Sequence, residues 1–456
     1  MTTDARPDFD PPIINSLAPS SDNTFHSMRF GPALFALFLF LVGSVASAQD
    51  GYIRTYKGTF ALTNARIETV TNGAIENGTV IIRDGNIEAV GNVVPPSDAE
   101  VIDCTGMTIY PGMIDGGTRL GLQEIGSLPE TVDHGEIGDI RPHMQALTAV
   151  NPNSVSIPIT RVSGVTTVLT SPSGGIMPGT AALINLHGYT PDQMFAGFKG
   201  VVLNFPSSAR FGRFDRRTDE DIKKQFDEAL EKLNETWVQA VLFERIDANG
   251  GSDLYQPEMA ALTSVVRREA PLLIEVNAAK DIDEALAWIE EKEIEAVLTG
   301  VSEGWRVADR IAAAGIPVIT GPVLTTPSRN YDRYDAAYRN AGWMHEAGVT
   351  VAIRSQEVEN VRNLAFNAGF AATYGMGREA ALEAVTIVPA RIFGVEDRLG
   401  SIEVGKAATL FVADGDPFEP TTAVSQLFIE GYRIPIESRH ISLYNEFLNR
   451  NPGLER

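Results

Sequence analysis

The amino-acid sequence predicts an α/β fold: a (β/α)8 TIM-type barrel accompanied by a small β-sandwich domain that both chain ends form. The central region alternates eight short apolar runs, rich in β-branched residues, with helical stretches that mix polar and apolar side chains. Segments typical of hairpin strands precede this region and return after it. The chain has 456 residues. That length is enough for a barrel of about 250 residues and an accessory sheet.

The first predicted element is a leader over residues 1–48, in which residues 28–48 are typical of a secretory signal peptide. An apolar run follows Arg29, and Ala46-Ser47-Ala48 supplies the small residues that favour cleavage after Ala48. The run is shorter than the roughly 20 residues of a membrane-spanning helix. We therefore predict a periplasmic or secreted protein without a stable membrane anchor after cleavage. Met1 and Met28 both remain open as the start of translation.

The β-sandwich domain is predicted to combine residues 49–110 with residues 394–436. Turn signals such as Asp84-Gly85-Asn86 separate β-type runs in the first part, and similar runs occur at 409–413 and 426–432 in the second. The two parts are expected to share one sheet. Residues 437–456 are predicted to form a C-terminal tail.

Residues 111–393 are predicted to form the barrel. Nearly continuous apolar strands are typical of a parallel sheet buried on both faces, and Glu220–Leu233, Asp281–Glu290 and Trp305–Ala314 are predicted to be outer helices. An open, doubly wound sheet is the alternative interpretation. The eight predicted strands are Met113–Asp115, Gly164–Thr170, Ala182–Leu186, Val201–Phe205, Leu272–Val276, Ala296–Thr299, Pro317–Thr320 and Val349–Ile353.

Composition limits the kind of partner. A formal net charge of −22 argues against a nucleic-acid partner, so we expect a small-molecule substrate or ligand. The single cysteine, Cys104, can form no internal disulfide, and it leaves little to oxidise after export. A homo-oligomer and pairing with an active paralogue both remain open.

Several motifs resemble, in order and spacing, those of the amidohydrolase family, in particular its imidazolonepropionase-like members. Val101–Gly106 followed by Pro111–Asp115 is similar to the family's passage from the small sheet into the first barrel strand. Thr386–Arg391 is similar to the helix after the last strand, and Gly400–Ala408 to the segment that re-enters the sheet. The resemblance covers residues 58–435. It implies hydrolysis of carbon–nitrogen bonds, for example in cyclic amides, by water bound to zinc or another divalent metal.

The resemblance also implies which positions would hold the metal. The family's first strand carries Asp-x-His-x-His, and the matching residues here are Asp115-Gly116-Gly117-Thr118-Arg119, so both histidines are absent. The other matching positions hold Asn204 on strand four, Glu275 on strand five, Gly300 on strand six, and Ser355 or Gln356 on strand eight. The sequence therefore predicts no metal site and no cofactor.

Two residues are candidate catalytic groups. Glu275 is expected to act as a general base if burial raises its pKa, with Arg119 polarising a carbonyl group. The alternative is that Arg119 and Glu275 form a charge pair in the space that the metal site left. The candidate substrate-binding residues, at or beside strand ends, are Asn204, Asn277, Gln356 and His187.

Two functions remain open at this point. The first is an amidohydrolase that still cleaves carbon–nitrogen bonds, with a metal held by unusual ligands or without metal. The second is a catalytically silent barrel that binds a small molecule or pairs with an active relative. The sequence contains no Gly-x-Ser-x-Gly elbow and no phosphate-binding loop. Ser171–Gly175, after strand two, is a candidate loop for binding an anion through backbone N–H groups.

Overall fold

The computed structural model describes residues 55–210, 215–251 and 255–450. The predicted signal peptide and its cleavage site lie outside these residues. Among the residues described, no helix is both long enough and apolar enough to cross a membrane.

Strands and helices alternate through the middle of the chain. The strands in the described ranges are β1 Tyr56–Lys57, β2 Phe60–Glu68, β3 Ala74–Arg83, β4 Asn86–Gly91, β5 Glu100–Asp103, β6 Thr108–Pro111, β7 Met113–Thr118, β8 Val165–Thr170, β9 Gly179–Asn185, β10 Phe195–Asn204, β11 Leu272–Val276, β12 Ala296–Gly300, β13 Val318–Thr320, β14 Val351–Ile353, β15 Leu410–Ala413, β16 Val424–Ile429 and β17 Tyr432–Ile434. The α-helices are α1 Ala146–Ala149, α2 Ser156–Arg161, α3 Pro191–Met194, α4 Asp219–Ala248, α5 Pro257–Val266, α6 Ala279–Lys292, α7 Ala308–Ala314, α8 Ala336–Glu346, α9 Leu364–Ala371, α10 Arg378–Glu383, α11 Ile387–Ile392 and α12 Arg439–Leu448. Shorter 3-10 turns occupy Pro129–Thr131, Gly304–Arg306 and Asn360–Asn363, and a π-type turn occupies Ala372–Met376.

Both chain ends contribute to one nine-stranded sheet, as the sequence predicted. Its order is β1-β17-β16-β15-β6-β2-β3-β4, and β5 pairs with β2 beside this path. Strands β15 and β6 therefore separate β16 from β2. Nevertheless, the rings of Phe60 on β2 and Phe428 on β16 lie 5.1 Å apart. The sheet curves back on itself and encloses a hydrophobic core of its own.

The barrel and its eight strands are confirmed. The second sheet has the order β14-β13-β12-β11-β10-β9-β8-β7. Strands β10 to β14 pair in parallel, and so do β7 and β8. The segment after β14 completes the ring, because Gln356 N donates to Gly117 O at 3.0 Å and Arg119 N to Glu357 O at 3.5 Å. The structure is therefore a nearly closed barrel and not the alternative open sheet.

One strand differs from the parallel arrangement that the sequence predicted. Strand β9 runs antiparallel to both neighbours: its Ala182 pairs with Thr170 of β8 on one side and with Lys199 of β10 on the other. The connection explains the difference, since only residues 171–178 join β8 to β9. A parallel crossover needs about a dozen residues or more, usually including a helix. The carboxyl end of β9 consequently lies at the opposite end of the barrel from those of its neighbours.

The predicted outer helices correspond to α4, α6 and the segment that ends in α7. A capping box starts α4: Thr218 Oγ1 accepts from Asp221 N at 3.1 Å, and Asp221 Oδ2 accepts from Thr218 N at 3.0 Å. Buried Trp237 of α4 contacts buried Trp288 of α6, with ring centroids 5.8 Å apart. Trp288 also contacts Phe205, which follows β10. These contacts hold the two helices against the strands that carry the candidate site.

Candidate functional site

A cavity of about 130 Å³ opens where the parallel barrel strands end. This end of such a barrel is where its enzymes place their reacting groups. The cavity is lined by Gly116, Gly117, Thr118, Arg119, Leu169, Ser171, Pro172, Ser173, Val202, Asn204, Leu273, Glu275, Thr299, Arg354 and Gln356. The structure therefore brings Arg119, Asn204, Glu275 and Gln356 of the predicted site residues to one place.

A two-pronged ion pair forms one wall of this cavity. Arg354 Nη1 donates to Glu275 Oε2 at 2.7 Å, and Arg354 Nη2 donates to Glu275 Oε1 at 2.8 Å. Thr299 Oγ1 also donates to Oε2 at 2.8 Å, and Asn277 Nδ2 donates to Oε1 at 3.1 Å. The side chains of Arg354 and Glu275 are 9% and 21% exposed. Both carboxylate oxygens are thus engaged by donors from three neighbouring side chains.

The charge pair proposed between Arg119 and Glu275 is therefore wrong, because Arg354 is the partner of Glu275. The expectation that burial would make Glu275 a general base is not met either. Burial does act to raise the pKa of Glu275, but the charge of Arg354 and the hydrogen bonds from Arg354, Thr299 and Asn277 outweigh it and lower that pKa. Glu275 is a tightly held carboxylate at neutral pH.

Two glycines make room for this ion pair. A Cβ atom at Gly117 would lie 3.1 Å from Arg354 Cδ, so a larger side chain there would compete with Arg354 for space. A Cβ atom at Gly300 would lie 2.5 Å from Glu275 Oε1 and 2.7 Å from Asn277 Oδ1. Gly117 lies on β7 and Gly300 ends β12, so the two glycines flank the pair from different strands. The ion pair fills the volume into which larger side chains at positions 117 and 300 would project.

Asp115, on β7, is a fully buried acid beneath the cavity. It accepts hydrogen bonds from Gly117 N at 2.9 Å and from Ser355 N at 3.1 Å. Burial raises the pKa of Asp115 to about 6, although those hydrogen bonds and the charge of Arg354 act against the shift. Asp115 does not line the cavity, and its hydrogen bonds tie β7 to the segment after β14. Its role in the structure is to fix the two ends of the barrel ring to each other.

Arg119 lines the same cavity, but unlike Arg354 it makes no ion pair within the described parts of the chain. Beside it, Ser173 Oγ is 2.7 Å from His134 Nδ1. Burial and the positive charge of Arg119 lower the pKa of His134, which is therefore neutral at pH 7. The N–H groups of Ser171 and Ser173 donate to Thr118 O and His134 O. Two of the N–H groups that could have bound an anion in this loop are consequently engaged.

A second cavity, of about 230 Å³, adjoins the first. Asn277 lines the second cavity, and Gln356 lines both. Asn277 links the two, because its Nδ2 donates to Glu275 while its Oδ1 accepts from Ser302 N at 3.3 Å. Asn204 lines the first cavity and donates from Nδ2 to Gly175 O at 2.9 Å. Three of the four predicted substrate-binding residues are thus at the barrel mouth.

His187 is the exception among the predicted site residues. It follows β9, so it lies at the opposite end of the barrel. There its ring contacts Tyr432 of the nine-stranded sheet, which we call the composite sheet because both ends of the chain contribute to it, with centroids 4.6 Å apart. Burial, together with the charges of Arg161 and Lys57, lowers the pKa of His187 to about 4. The structure shows a packed, neutral histidine between barrel and sheet and does not place it at the cavity.

The residues at the barrel mouth do not fit a catalytic metal. Such a site needs about three converging imidazole, carboxylate or thiolate ligands. Within the part of the chain that the structure describes, Glu275 is the one carboxylate that lines the cavity, and its oxygens are already engaged by Arg354, Thr299 and Asn277. Across the described ranges, no group of three or more His, Cys, Asp or Glu side chains is placed to hold a metal ion.

Sequence reasoning missed Arg354 and Asp115. Both stood in segments already identified as strand ends, Asp115 on strand one and Arg354 directly after strand eight. A sequence signal for Arg354 did exist, because Gly117 faces the end of strand eight in a closed barrel and leaves space for a long side chain. The choice of partner could not be read from sequence, since Glu275 and Arg354 are 79 residues apart.

A family profile and two curated relatives of this chain agree with one another. The profile described as "Amidohydrolase family" matches residues 108–434. Amidohydrolase tasK of Hapsidospora irregularis is 24% identical over 400 residues, which cover 78% of this chain and 39% of that protein. D-hydantoinase of Geobacillus stearothermophilus is 35% identical over 92 residues, 20% of this chain and 19% of that enzyme. The chain therefore spans about two fifths or less of the length of these curated relatives.

Solved structures agree with the fold. An amidohydrolase from Thermotoga maritima superposes with a TM-score of 0.71 at 24% identity, over 82% of this chain and 99% of that one. A molinate hydrolase superposes with a TM-score of 0.54 at 18% identity, over 88% of this chain and all of that one. At these identities the likeness supports the barrel architecture and says nothing of substrate.

Proposed function

Because this chain belongs to the amidohydrolase family, we propose that it is an exported member, by descent a hydrolase of carbon–nitrogen bonds, whose barrel mouth binds a small molecule without the family's metal-dependent hydrolysis. The relatives named amidohydrolase and hydantoinase support the descent. Export is supported by the apolar run and the Ala46-Ser47-Ala48 sequence of the leader.

The observation that carries the proposal is the ion pair in which the guanidinium of Arg354 donates two hydrogen bonds to the carboxylate of Glu275. A guanidinium carries a permanent positive charge and cannot ligate a metal. The positive charge of Arg354 is offset by Glu275, so the pair gives a dication little net attraction and leaves it no free carboxylate oxygen. The net repulsion comes from Arg119, which also lines the cavity: a dication about 4 Å from its charge would be repelled by roughly 8 kcal/mol at an effective dielectric of 20. The mouth therefore favours anions and dipoles over divalent metals.

The groups for proton transfer are also unsuited to hydrolysis. A general base should have a pKa near the working pH and should reach the attacking water. The pKa of Glu275 is lowered and its oxygens are engaged, so it is a weak base. The pKa of Asp115 is better placed, but its side chain is fully buried beneath the cavity. The remaining polar groups, such as Asn204 and Gln356, can donate and accept hydrogen bonds to a bound molecule.

The test is to purify the mature protein, incubate it with zinc, remove the excess by dialysis and measure its metal content. Turnover of a panel of cyclic amides and dipeptides is assayed on the same sample, with D-hydantoinase of Geobacillus stearothermophilus as the positive control. We expect no stoichiometric zinc and no turnover above the uncatalysed rate. Glu275→Ala should leave the metal content unchanged. Stoichiometric zinc that is lost in Glu275→Ala, together with turnover, would revive the metal-dependent hydrolase.

A further inference from the structure

We propose that the barrel mouth binds a small monocarboxylate with an uncharged tail, with the carboxylate on Arg119 and the tail in the adjoining cavity. This inference rests on the proposed function, because it names the ligand class of the same non-hydrolytic site. Three observations support it: the charges that line the first cavity, the nearly uncharged lining of the second, and the backbone conformation of Gln356, which lies between them.

The first cavity carries one unmatched positive charge. Its charged lining residues are Arg119, Glu275 and Arg354. Glu275 and Arg354 neutralise each other through two hydrogen bonds, whereas Arg119 makes no ion pair among the described residues. His134, hydrogen-bonded to the cavity residue Ser173, adds no charge because its pKa is lowered. Among the described residues, the side chains that line this cavity therefore carry a net charge of about +1, which favours an anion.

A carboxylate matches this arrangement better than a phosphate does. A guanidinium presents its N–H groups as a planar fork, and this fork fits the two oxygens of a carboxylate. One guanidinium balances one negative charge, so a phosphate dianion would leave one charge desolvated and unmatched. Ser171 and Asn204, which also line the cavity, supply hydroxyl and amide groups for the remaining lone pairs. The cavity of about 130 Å³ has room for a head group and little more.

The second cavity suits an uncharged tail. Of the described residues on its lining, one is ionisable: Asp332, whose side chain is 4% exposed and paired with Arg306. The rest of the lining consists of hydroxyl, amide, small apolar and aromatic groups, including Thr320, Asn340 and Trp305. Its volume of about 230 Å³ is the larger of the two. Together the two cavities have a volume at the lower end of the range for small-ligand pockets, about 300–1,000 Å³.

Gln356 stands at the junction of the two cavities in an unusual conformation. It lines both cavities, and its φ of 58° lies in the left-handed region that residues other than glycine rarely adopt. Its N–H group, which donates to Gly117 O at 3.0 Å, holds the backbone there. Strained backbone of this kind persists where the surrounding structure imposes it, often at ligand sites. The side-chain amide of Gln356 is thereby available to a ligand that passes from one cavity to the other.

The test uses isothermal titration calorimetry on the mature protein with four probes. N-acetylglycine has the proposed carboxylate and neutral tail, N-acetylglycinamide keeps the tail without the charge, acetate keeps the charge without the tail, and inorganic phosphate is a dianion. We expect N-acetylglycine to bind most tightly. Arg119→Gln should raise its Kd by roughly tenfold or more, as expected when a charge-assisted hydrogen bond is lost. Arg119→Lys should retain part of the affinity.

The control is Arg310→Gln, which removes the same charge from an exposed ion pair on α7 and should leave Kd unchanged. If Arg119→Gln does not fold, the preference of wild type for N-acetylglycine over its amide still decides the question. Equal binding of acid and amide, tighter binding of phosphate, or no binding of any probe would each overturn the carboxylate site while leaving the absence of hydrolysis intact. Release of free glycine in the same samples would overturn the proposed function even if Arg119 holds the acid.

Discussion

Glu275 and Arg354 join the ends of β11 and β14 across the barrel mouth, through two hydrogen bonds of 2.7 and 2.8 Å. A buried pair of this kind is costly to break, because loss of one partner leaves an uncompensated charge in a poorly solvated place. The sequence placed Glu275 at a strand end and Gln356 at the mouth, and both are there. It could not predict the pairing, because the space that lets Arg354 reach Glu275 comes from a glycine on a third strand.

Replacing Arg354 should reveal the cost of an unpaired Glu275. We expect Arg354→Gln to lower the free energy of unfolding by about 2–4 kcal/mol, somewhat less than for a fully buried pair, because Glu275 keeps some solvent contact. Urea unfolding at pH 7 measures the change. Arg310→Gln, which breaks an exposed pair with Asp283, should cost less than about 1 kcal/mol. Equal costs for the two variants would contradict the importance assigned to the buried pair.

The raised pKa of Asp115 predicts how the stability of the folded protein changes with pH. The pKa of its carboxyl is about 6 in the folded protein, against an ordinary value of 3.8, so the folded state binds the proton more tightly than the unfolded chain does. Its contribution to stability is therefore present at low pH and declines as pH rises from about 4 to about 6. The stability of wild type relative to Asp115→Asn should fall over that window by at most about 1.4 kcal/mol per pH unit.

Urea unfolding of both proteins at several pH values gives this difference directly. Groups other than Asp115 are common to both proteins and cancel in the comparison. Glu275 does not add to the effect in this window, since its pKa is lowered and it stays ionised. A difference that is constant with pH, or that grows as pH rises, would show that Asp115 is not held in the protonated form by burial.

At the scale of elements, β9 marks the limit of what periodicity can predict. The apolar pattern identified all eight barrel strands, because a buried strand needs apolar residues whichever way it runs. Direction depends instead on the length of the connection, and residues 171–178 with their Pro and Gly content suit a reversal of the chain. The length of this connection could have been counted in the sequence once the two strands were identified. The consequence for the site was large, because it moved His187 to the far end of the barrel.

In the composite sheet, the N-terminal strands depend on the C-terminal strands for pairing and for a shared hydrophobic core. Strand β15 pairs with β6 and β16, and the ring of Phe428 packs on Phe60. Deleting residues 409–456 should therefore expose apolar strand faces and yield insoluble protein. Deleting only residues 440–456 should leave a soluble, cooperatively folded protein, because α12 contains no buried residue. Size-exclusion chromatography and thermal unfolding distinguish the two, and a soluble, cooperatively unfolding product of the larger deletion would contradict a shared core.

At the scale of the whole molecule, chain length and strand count were enough to predict one barrel with one accessory sheet. The site was harder, because it depends on side chains from strands that are distant in sequence. Export is a separate prediction, because the features that support it lie in residues 28–48 and not in the barrel.

Export predicts a defined N-terminus. Protein recovered from the periplasm should begin at Gln49, because Ala46 and Ala48 supply the small side chains next to the cleaved bond. Ala48→Arg should block cleavage and leave the leader attached. Intact mass spectrometry of the two proteins measures this, and an exported wild type that retains Met1 or Met28 would refute the predicted site.

The fit of Arg354 against Gly117 has an evolutionary consequence. The Cβ of a histidine at position 117 would lie 3.1 Å from Arg354 Cδ, so Arg354 would have to shift, and the Cβ of one at position 300 would lie 2.5 Å from Glu275 Oε1. Removing Arg354 first leaves Glu275 without its cation, and the expected cost of about 2–4 kcal/mol is a substantial fraction of a protein's net stability of about 5–15 kcal/mol. Any single substitution that introduces a metal ligand at positions 117 or 300, or that removes Arg354, is therefore expected to destabilise the protein. On the proposed function, the ion pair is thus an evolutionary barrier, and we expect chains that carry it to acquire a metal centre only through several coupled substitutions.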